Sequence, residues 1–224
     1  MPEGDSPRHA TFLKMLDDLH ARHLVGVADV REVWLIRHAD AYVGLESLNE
    51  GVLDPPLSAL GLEQAARLAR RLSDVPLGAV WSSSLRRAAE TADAVARPHG
   101  LEVRHDERLR EVRTDWDEGR SGSLKEPGVY PFLEPESEVV ERMSSVVADV
   151  VATLTPADPP RAAVVTHNAA IALYVASVLG LGWGQLRIMP QYTSVTVLAV
   201  KDGQVVVHSV ADATHLAAQR PGSD

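Results

Sequence analysis

The hydrophobic pattern of this chain changes repeatedly between the period of a strand and that of a helix. Short runs rich in apolar residues, typical of buried strands, alternate with segments whose apolar residues recur every three or four positions. Strands that alternate with helices predict a layered α/β fold. The strand-like runs lie at residues 33–37, 79–82, 101–104 and 162–166, and the helix-like segments at 59–72, 85–96, 137–154 and 169–179.

The last part of the chain predicts a hairpin. Two segments with strand character, 193–200 and 204–210, flank a turn whose Asp202-Gly203 pair is typical of hairpins. The strands of a hairpin are antiparallel, whereas strands joined through helices are parallel. The sequence therefore predicts an α/β fold of three αβα layers, with a mostly parallel central sheet and an antiparallel edge strand.

Serine residues stand where two of the helices begin. Ser58 precedes the helix at 59–72, and Ser137 stands at the start of the helix that runs to about residue 154. A serine side chain accepts a hydrogen bond from a free N–H of the first helical turn, so both serines are predicted helix caps.

A further amphipathic helix precedes the first strand. Over residues 8–24, four apolar residues are spaced to share one helix face: Phe12, Met15, Leu16 and Leu19. Two interpretations of this face are open, packing on the chain's own domain or a contact in a homodimer. The predicted organisation is a helical extension at 1–29, an α/β domain at 30–218 with an irregular loop at 112–136, and a tail at 219–224.

Composition narrows the choice of partners and compartments. The chain of 224 residues carries a net charge of −9 and has a pI near 5.5, which opposes binding to nucleic acid or to an anionic membrane. It has no cysteine, so disulfides, thiolate metal ligands and cysteine nucleophiles are excluded. We find no secretory signal and no apolar window of about 18 residues, and we expect a cytoplasmic protein.

Cationic and nucleophilic side chains follow three of the predicted strands. Arg37 and His38 end the first strand, His167 ends a later one, and the segment SSSLRR, which contains Arg87, follows another. The carboxyl ends of parallel strands meet at one edge of a sheet, where ligands bind. Two imidazoles beside several guanidinium groups favour an anionic substrate, because arginine matches phosphate oxygens bidentately.

Phosphoryl transfer is a chemistry that such groups can perform. A neutral imidazole can attack phosphorus and form a phosphohistidine, while arginines offset the charge of the phosphoryl oxygens. The leaving alkoxide needs a proton, which a carboxylic acid with a raised pKa can supply. For each residue alone, a structural histidine or a solvated arginine is the commoner explanation. Their coincidence at the ends of strands favours a functional site.

Five segments in order carry a family resemblance. They are LIRHAD, DPPLSALGLEQAARLARRL, WSSSLRRAAETA, RLREVRTDWDEG and VVTHNAAIALYVASVLGL, followed by ATHL near the C-terminal end. From about residue 32 to 216, the chain resembles the histidine phosphatase superfamily, also called the phosphoglycerate mutase-like family. The resemblance implies an enzyme that acts on a small phosphorylated substrate and uses neither a metal nor a cofactor.

The resemblance also implies a role for each matching residue. His38 is then the nucleophile that becomes phosphorylated, and Arg37 and Arg87 bind the phosphoryl oxygens. His167 is the second histidine, which holds the phosphoryl group in transit. Glu111 protonates the leaving oxygen and then activates water.

Some positions depart from the family pattern. Ala39 replaces the usual glycine after the nucleophile, which predicts a negative φ at this residue. Asn168 replaces the glycine after the second histidine, and its amide can reach a phosphate oxygen. Gly44 stands where the family often has an asparagine. Asp40 is expected to tune His38, to face the substrate or to cap the following turn.

Substrate identity is expected to depend on the loop at 113–136 and on residues near Tyr42. In the loop, Trp116, Tyr130 and Phe132 either form an apolar wall for the substrate or anchor the loop on the core.

The leading hypothesis is a metal-independent phosphomonoesterase that acts on a small phosphorylated metabolite through a phosphohistidine intermediate. The His-Ala-Asp and His-Asn segments resemble the superfamily's small phosphohistidine phosphatases, although those lack the glutamate segment. The loop is short for a mutase, which must shelter its phosphohistidine from water. A protein phosphohistidine phosphatase and a phosphoglycerate-type mutase are the alternatives, and a non-catalytic phosphate-binding or scaffold protein is the alternative of another class.

Overall fold

The computed structural model describes residues 7–41, 54–113, 133–156, 158–182, 185–186 and 188–219. These residues form one six-stranded sheet, flanked by helices. The strands are β1 (Arg31–Arg37), β2 (Ala79–Ser82), β3 (Val103–His105), β4 (Arg161–Thr166), β5 (Val195–Lys201) and β6 (Gln204–Asp212). The α-helices are α1 (Pro7–Arg22), α2 (Ala59–Leu72), α3 (Arg86–Ala96), α4 (Glu136–Thr153) and α5 (Asn168–Val178), and short 3-10 helices lie at Arg97–His99, Glu107–Leu109 and Thr214–Gln219.

The strand order in the sheet is β3-β2-β4-β1-β5-β6. The first four strands of this order pair in parallel, whereas β5 pairs antiparallel with both β1 and β6. Arg37 of β1 is opposite Thr166 of β4, and Ser82 of β2 is opposite Val165. The predicted fold class is confirmed, and the carboxyl ends of β1, β2 and β4 reach the same edge of the sheet.

Helices cover both faces of the sheet because each presents an apolar face to it. Leu35 of β1 belongs to the hydrophobic cluster that contains Met143 of α4 and Ile171 of α5. Its neighbour Ile36 belongs to the opposite cluster, which contains Leu68 of α2. Successive side chains of a strand point to opposite faces, so β1 connects the two cores of a three-layer structure.

The predicted elements are present, and most of their ends are shifted by one or two residues. The prediction that Ser137 caps α4 is wrong, because the helix already begins at Glu136 and its N-cap is Pro135. The Pro135 carbonyl accepts the N–H groups of Glu138 and Val139 at 3.0 and 3.2 Å. Proline has the fixed φ that suits the start of a helix, so it begins the helix before the serine does.

Helix α1 forms where it was predicted, but three of the four residues of its apolar face are exposed, and the fourth, Leu16, is partly buried. Phe12 is 51% exposed, Met15 55% and Leu19 48%. Beyond the apolar face, Gln204 of β6 donates to the Arg22 carbonyl at 2.8 Å. The homodimer interpretation stays a prediction. None of the described helices is both long enough and apolar enough to cross a membrane.

The start of α2 is fixed by two small residues. Ser58 is the predicted N-cap, and its Oγ accepts the N–H of Gly61 at 3.0 Å. A Cβ atom added to Gly61 would lie only 1.9 Å from the backbone oxygen of Asp40. The helix therefore approaches the segment after β1 more closely than any residue other than glycine allows.

We predict that Gly61→Ala destabilises the protein by about 1–3 kcal/mol, the usual range for overpacking. In an unobstructed helix the same change stabilises by about 1 kcal/mol, so the sign of the effect is diagnostic. The free energy of unfolding, measured in urea, gives the answer. Gly182→Ala is the control, because its added Cβ meets only the flexible Gln185 side chain at 3.4 Å. Equal or greater stability of Gly61→Ala would contradict the close contact.

Candidate active site

The parallel pairing of β1 with β4 places two histidines side by side. His38 directly follows β1, His167 directly follows β4, and the His38 N–H donates to the Thr166 carbonyl at 3.0 Å. The two imidazole rings have centroids 5.0 Å apart and planes inclined by 57°. Both side chains are buried. The structure thus brings together the two histidines that the sequence placed at strand ends.

A contact with a backbone carbonyl fixes the tautomer of the His38 imidazole. Its Nδ1 lies 2.7 Å from the Ala39 carbonyl oxygen, which can only accept, so Nδ1 carries the proton. In the neutral ring Nε2 then has the lone pair, and it accepts the Arg87 Nε–H at 3.2 Å. Ala39 does not have a positive φ, as predicted, and its N–H donates to Thr91 Oγ1 at 3.0 Å. The second nitrogen of His38 therefore faces the arginine as a base.

Burial and nearby cations keep both imidazoles neutral. Burial, with the charges of Arg87 and Arg37, lowers the pKa of His38 to about 3, although the Ala39 carbonyl opposes the shift. Burial likewise lowers the pKa of His167 well below its usual value, and the neighbouring His38 and Arg87 add to the effect. At neutral pH the site therefore contains two uncharged imidazoles among cationic guanidinium groups.

Arg37 is held by the segment that leads into β5. Its Nη1 donates to the Pro190 carbonyl at 2.8 Å, and the Tyr192 ring covers its guanidinium at 3.9 Å. The buried Nε of Arg37 has no hydrogen-bond partner among the described residues. Burial lowers the pKa of Arg37, but an arginine stays charged in a protein. The held guanidinium therefore retains a donor for an anion.

The two neighbouring arginines at the start of α3 have different surroundings. The Arg87 side chain is mostly buried and lies 3.7 Å from the Asp54 carboxylate, in addition to its contact with His38. Arg86 is 58% exposed in its side chain and pairs with Glu90 one turn along the helix, at 2.8 Å. Arg87 thus faces the histidines, and Arg86 faces solvent.

Glu111 lies at the N-terminus of α5. Its carboxylate accepts the N–H groups of Val112, Ala169 and Ala170 at 2.9, 3.3 and 3.2 Å. Burial raises the pKa of Glu111, while these N–H groups and Arg87 oppose the rise. A carboxyl group with a raised pKa can hold a proton closer to neutral pH than an ordinary glutamate can.

The residues predicted to contact the substrate lie in different parts of the structure, and some are not among the described residues. Asn168 is the first residue of α5, and its Oδ1 is buried with no partner in the described part of the chain. The Asp40 carboxylate accepts the hydroxyl of Ser58 at the start of α2. The residues that follow, 42–53, lie outside the described part of the chain, so the three roles that the sequence left open for Asp40 stay predictions. Tyr42 and the loop aromatics Trp116, Tyr130 and Phe132 lie outside the described residues.

Sequence reasoning missed the residues that support this site from the segment before β5. The Tyr192 ring lies 5.7 Å from the His38 ring. Thr193 was predicted to begin the strand, but it has a positive φ of 57°, and its N–H donates to the Arg37 carbonyl at 3.0 Å. Its Oγ1 lies 2.9 Å from Nε2 of His215. The match of ATHL to the family's C-terminal end was the only sequence signal for any of them.

Two further features bear on ligands. Arg37 and Tyr192 line an open cleft of about 410 Å³, together with Gln64 and Leu216. Among the described residues, no group of three or more His, Cys, Asp or Glu side chains is arranged to hold a metal ion.

Comparison with known proteins places this geometry in a family. Residues 33–213 match the sequence model of the histidine phosphatase superfamily (branch 1). The chain belongs to this superfamily. The predicted resemblance is therefore confirmed over the whole span that carries the site residues.

The relatives include both phosphatases and mutases. A probable phosphoglycerate mutase GpmB from Escherichia fergusonii is 29% identical over 206 residues, which cover 83% of this chain and 94% of the relative. A solved mycobacterial glucosyl-3-phosphoglycerate phosphatase with VO3 is 28% identical, with a TM-score of 0.62 over 80% of this chain and 96% of that one. This member of the histidine phosphatase superfamily is thus a phosphatase or a mutase.

A phosphoglycerate mutase from Bacillus anthracis also has the same architecture. It is 20% identical, with a TM-score of 0.67 over 84% of this chain and 96% of that chain. At this level of identity the likeness shows the fold alone.

Proposed function

We propose that this protein is a metal-independent phosphomonoesterase that hydrolyses a small phosphorylated metabolite through a phosphohistidine on His38. One observation carries the proposal. His38 is buried and neutral, its Nδ1 proton is held by the Ala39 carbonyl, and the lone pair of its Nε2 faces Arg87. A neutral nitrogen next to an anion-binding guanidinium suits attack on a phosphoryl group.

In the first step the Nε2 lone pair of His38 attacks phosphorus, and the bond from phosphorus to the ester oxygen breaks. Arg37 and Arg87 offset the charge of the phosphoryl oxygens, and His167 and Asn168 act as further contacts. Protonated Glu111 gives its proton to the leaving oxygen. The products of this step are the free alcohol, a phosphohistidine and the Glu111 carboxylate.

In the second step a water molecule attacks the phosphorus of the phosphohistidine. The Glu111 carboxylate takes a proton from this water, the N–P bond breaks, and its electron pair returns to Nε2 of His38. Inorganic phosphate leaves, and both residues regain their starting protonation states. The cleft beside Arg37 and Tyr192 offers room for the non-phosphate part of a small substrate.

Mutase activity is the second candidate, because the relative from Escherichia fergusonii is named a probable phosphoglycerate mutase. A mutase returns the phosphoryl group of its phosphohistidine to another hydroxyl of a bound acceptor, whereas a phosphatase gives it to water. Burial raises the pKa of Glu111, so its carboxyl group can hold the proton that the leaving alkoxide needs. Both reactions need this proton. The group that accepts the phosphoryl group, water or a bound hydroxyl, therefore distinguishes a phosphatase from a mutase.

We predict that the protein hydrolyses an aryl phosphate in the presence of EDTA and that His38→Ala lowers the rate by at least about a thousandfold. Rapid quenching of the wild type should show acid-labile phosphate on His38. The matched control is His105→Ala, which removes an exposed histidine at the end of β3. Absence of wild-type turnover would refute the proposal and favour a non-catalytic binding protein. Unchanged turnover by His38→Ala would refute the proposal by showing that His38 is not the nucleophile.

The same preparation separates hydrolysis from transfer. With 3-phosphoglycerate, chosen because the relatives' names contain phosphoglycerate, phosphorus NMR distinguishes inorganic phosphate from the 2-phosphate isomer. Accumulation of the isomer would assign a mutase instead of a phosphatase.

We predict that Glu111→Gln lowers kcat/KM, which reports formation of the phosphohistidine, by about 10²–10⁴-fold for an alkyl phosphate and much less for a nitrophenyl phosphate. An alkoxide needs the proton of Glu111, whereas nitrophenolate leaves without it. Because the acid form is active, the wild-type kcat/KM for the alkyl ester should fall as pH rises through the raised pKa of Glu111. The variant should lack this decline.

Glu107→Gln is the control for this experiment, since its carboxylate is exposed and pairs with Arg110 at 3.1 Å. Equal losses of kcat/KM for both esters in Glu111→Gln would show that Glu111 is not the leaving-group acid.

A further inference from the structure

Ser83 connects the end of β2 to the second histidine. It is fully buried, and its N–H donates to the Val165 carbonyl of β4 at 2.9 Å. Its Oγ accepts the N–H of Leu85 at 3.2 Å and lies 2.9 Å from Nε2 of His167. The segment SSSLRR was noted in the sequence for its arginines, and neither this serine nor its contact was assigned a function.

The hydrogen bonds around Ser83 distinguish the two neutral tautomers of His167. A serine hydroxyl has one proton to donate, and among the described residues His167 Nε2 is the one acceptor within its reach. If Nε2 accepts this proton, then Nδ1 of the imidazole carries the ring's own proton. If Nε2 were protonated instead, the serine proton would have no acceptor in its buried position.

The second nitrogen of His167 points to the same tautomer. Nδ1 is buried and has no hydrogen-bond partner in the part of the chain that the structure describes. With the proton on Nδ1, this N–H is the single group left unpaired. With the proton on Nε2, the serine hydroxyl and the Nδ1 lone pair would both be unpaired, and each buried unsatisfied group is costly. The first arrangement is therefore the more stable one.

We propose that Ser83 is a positioning residue that fixes His167 as the Nδ1–H tautomer, so that the second imidazole offers a hydrogen-bond donor to the phosphoryl group. The proposal deepens and rests on the proposed function, because the acceptor for this donor is the transferring group. The two histidines then carry their protons on the same nitrogen but use opposite atoms. His38 attacks through the lone pair of its Nε2, and His167 donates through the N–H of its Nδ1.

The opposite tautomer would act against catalysis. A lone pair on Nδ1 of His167 would face the negative oxygens of a phosphoryl group that is already being attacked by the neighbouring ring, 5.0 Å away between centroids. Because burial lowers the pKa of His167 well below its usual value, the ring carries one proton at neutral pH. Only one of its two nitrogens can therefore donate a hydrogen bond. The hydroxyl of Ser83 thus determines whether Nδ1 of His167 donates a hydrogen bond to the phosphoryl group or presents a lone pair to it.

The test is nitrogen-15 NMR of histidine-labelled protein, with the His167 signals assigned by their loss in His167→Gln. In the free wild type, His167 should be neutral and protonated on Nδ1. In Ser83→Ala this preference should be lost, because neither ring nitrogen then has a partner. The matched control is Ser82→Ala, since Ser82 is also fully buried but donates only to the Ser83 carbonyl, at 2.8 Å.

Binding of vanadate, a mimic of the phosphoryl group, provides the second measurement. Ser83→Ala should weaken vanadate inhibition and lower kcat by about ten- to a hundredfold, the effect of a hydrogen bond to a charged group. Ser82→Ala should change both by less than about threefold. A structural role alone would move the melting temperature of both variants without changing the His167 tautomer.

The possible outcomes separate this inference from the proposed function. A wild-type His167 protonated on Nε2 would overturn the inference even if the enzyme is active. An unchanged tautomer and unchanged vanadate inhibition in Ser83→Ala would also overturn it. Absence of turnover in a wild type whose His167 carries its proton on Nδ1, with that preference lost in Ser83→Ala, would support the role of Ser83 and refute the proposed function.

Discussion

The parallel pairing of β1 with β4 is the constraint on which the site depends. It carries His38 and His167 to the same edge of the sheet, with ring centroids 5.0 Å apart, next to Arg37 and Arg87. Buried imidazoles in such surroundings stay neutral, because a further positive charge beside the guanidinium groups would be strongly disfavoured. Neutrality leaves a lone pair on His38 Nε2, and the proposed chemistry follows from it.

The other elements hold these groups in place through contacts of their own. The Ala39 carbonyl binds Nδ1 of His38 and leaves Nε2 to the arginine. The segment before β5 covers one face and one end of the Arg37 guanidinium through Tyr192 and Pro190. Such a site is ordered before the substrate arrives, so that little reorganisation is needed during the reaction.

The sequence predicted what depends on local pattern. Strand and helix periodicity gave the α/β fold, and the strand-terminal positions of His38 and His167 indicated that they meet at one edge. Contacts between distant segments could not be predicted from local pattern, and Ser83 and His167 are 84 residues apart in the chain. No local pattern predicts the positive φ of Thr193 either. The predicted capping role of Ser137 failed because Pro135, two residues earlier, already starts the helix.

A pH titration of the histidine side chains by NMR tests the central claim most directly. In the free protein, His38 should stay neutral from neutral pH until the pH approaches its pKa of about 3, and His167 should likewise stay neutral well below its usual pKa of 6.5. Protonation of His38 near pH 6.5 would contradict the account, because a cationic imidazole has no lone pair with which to attack phosphorus.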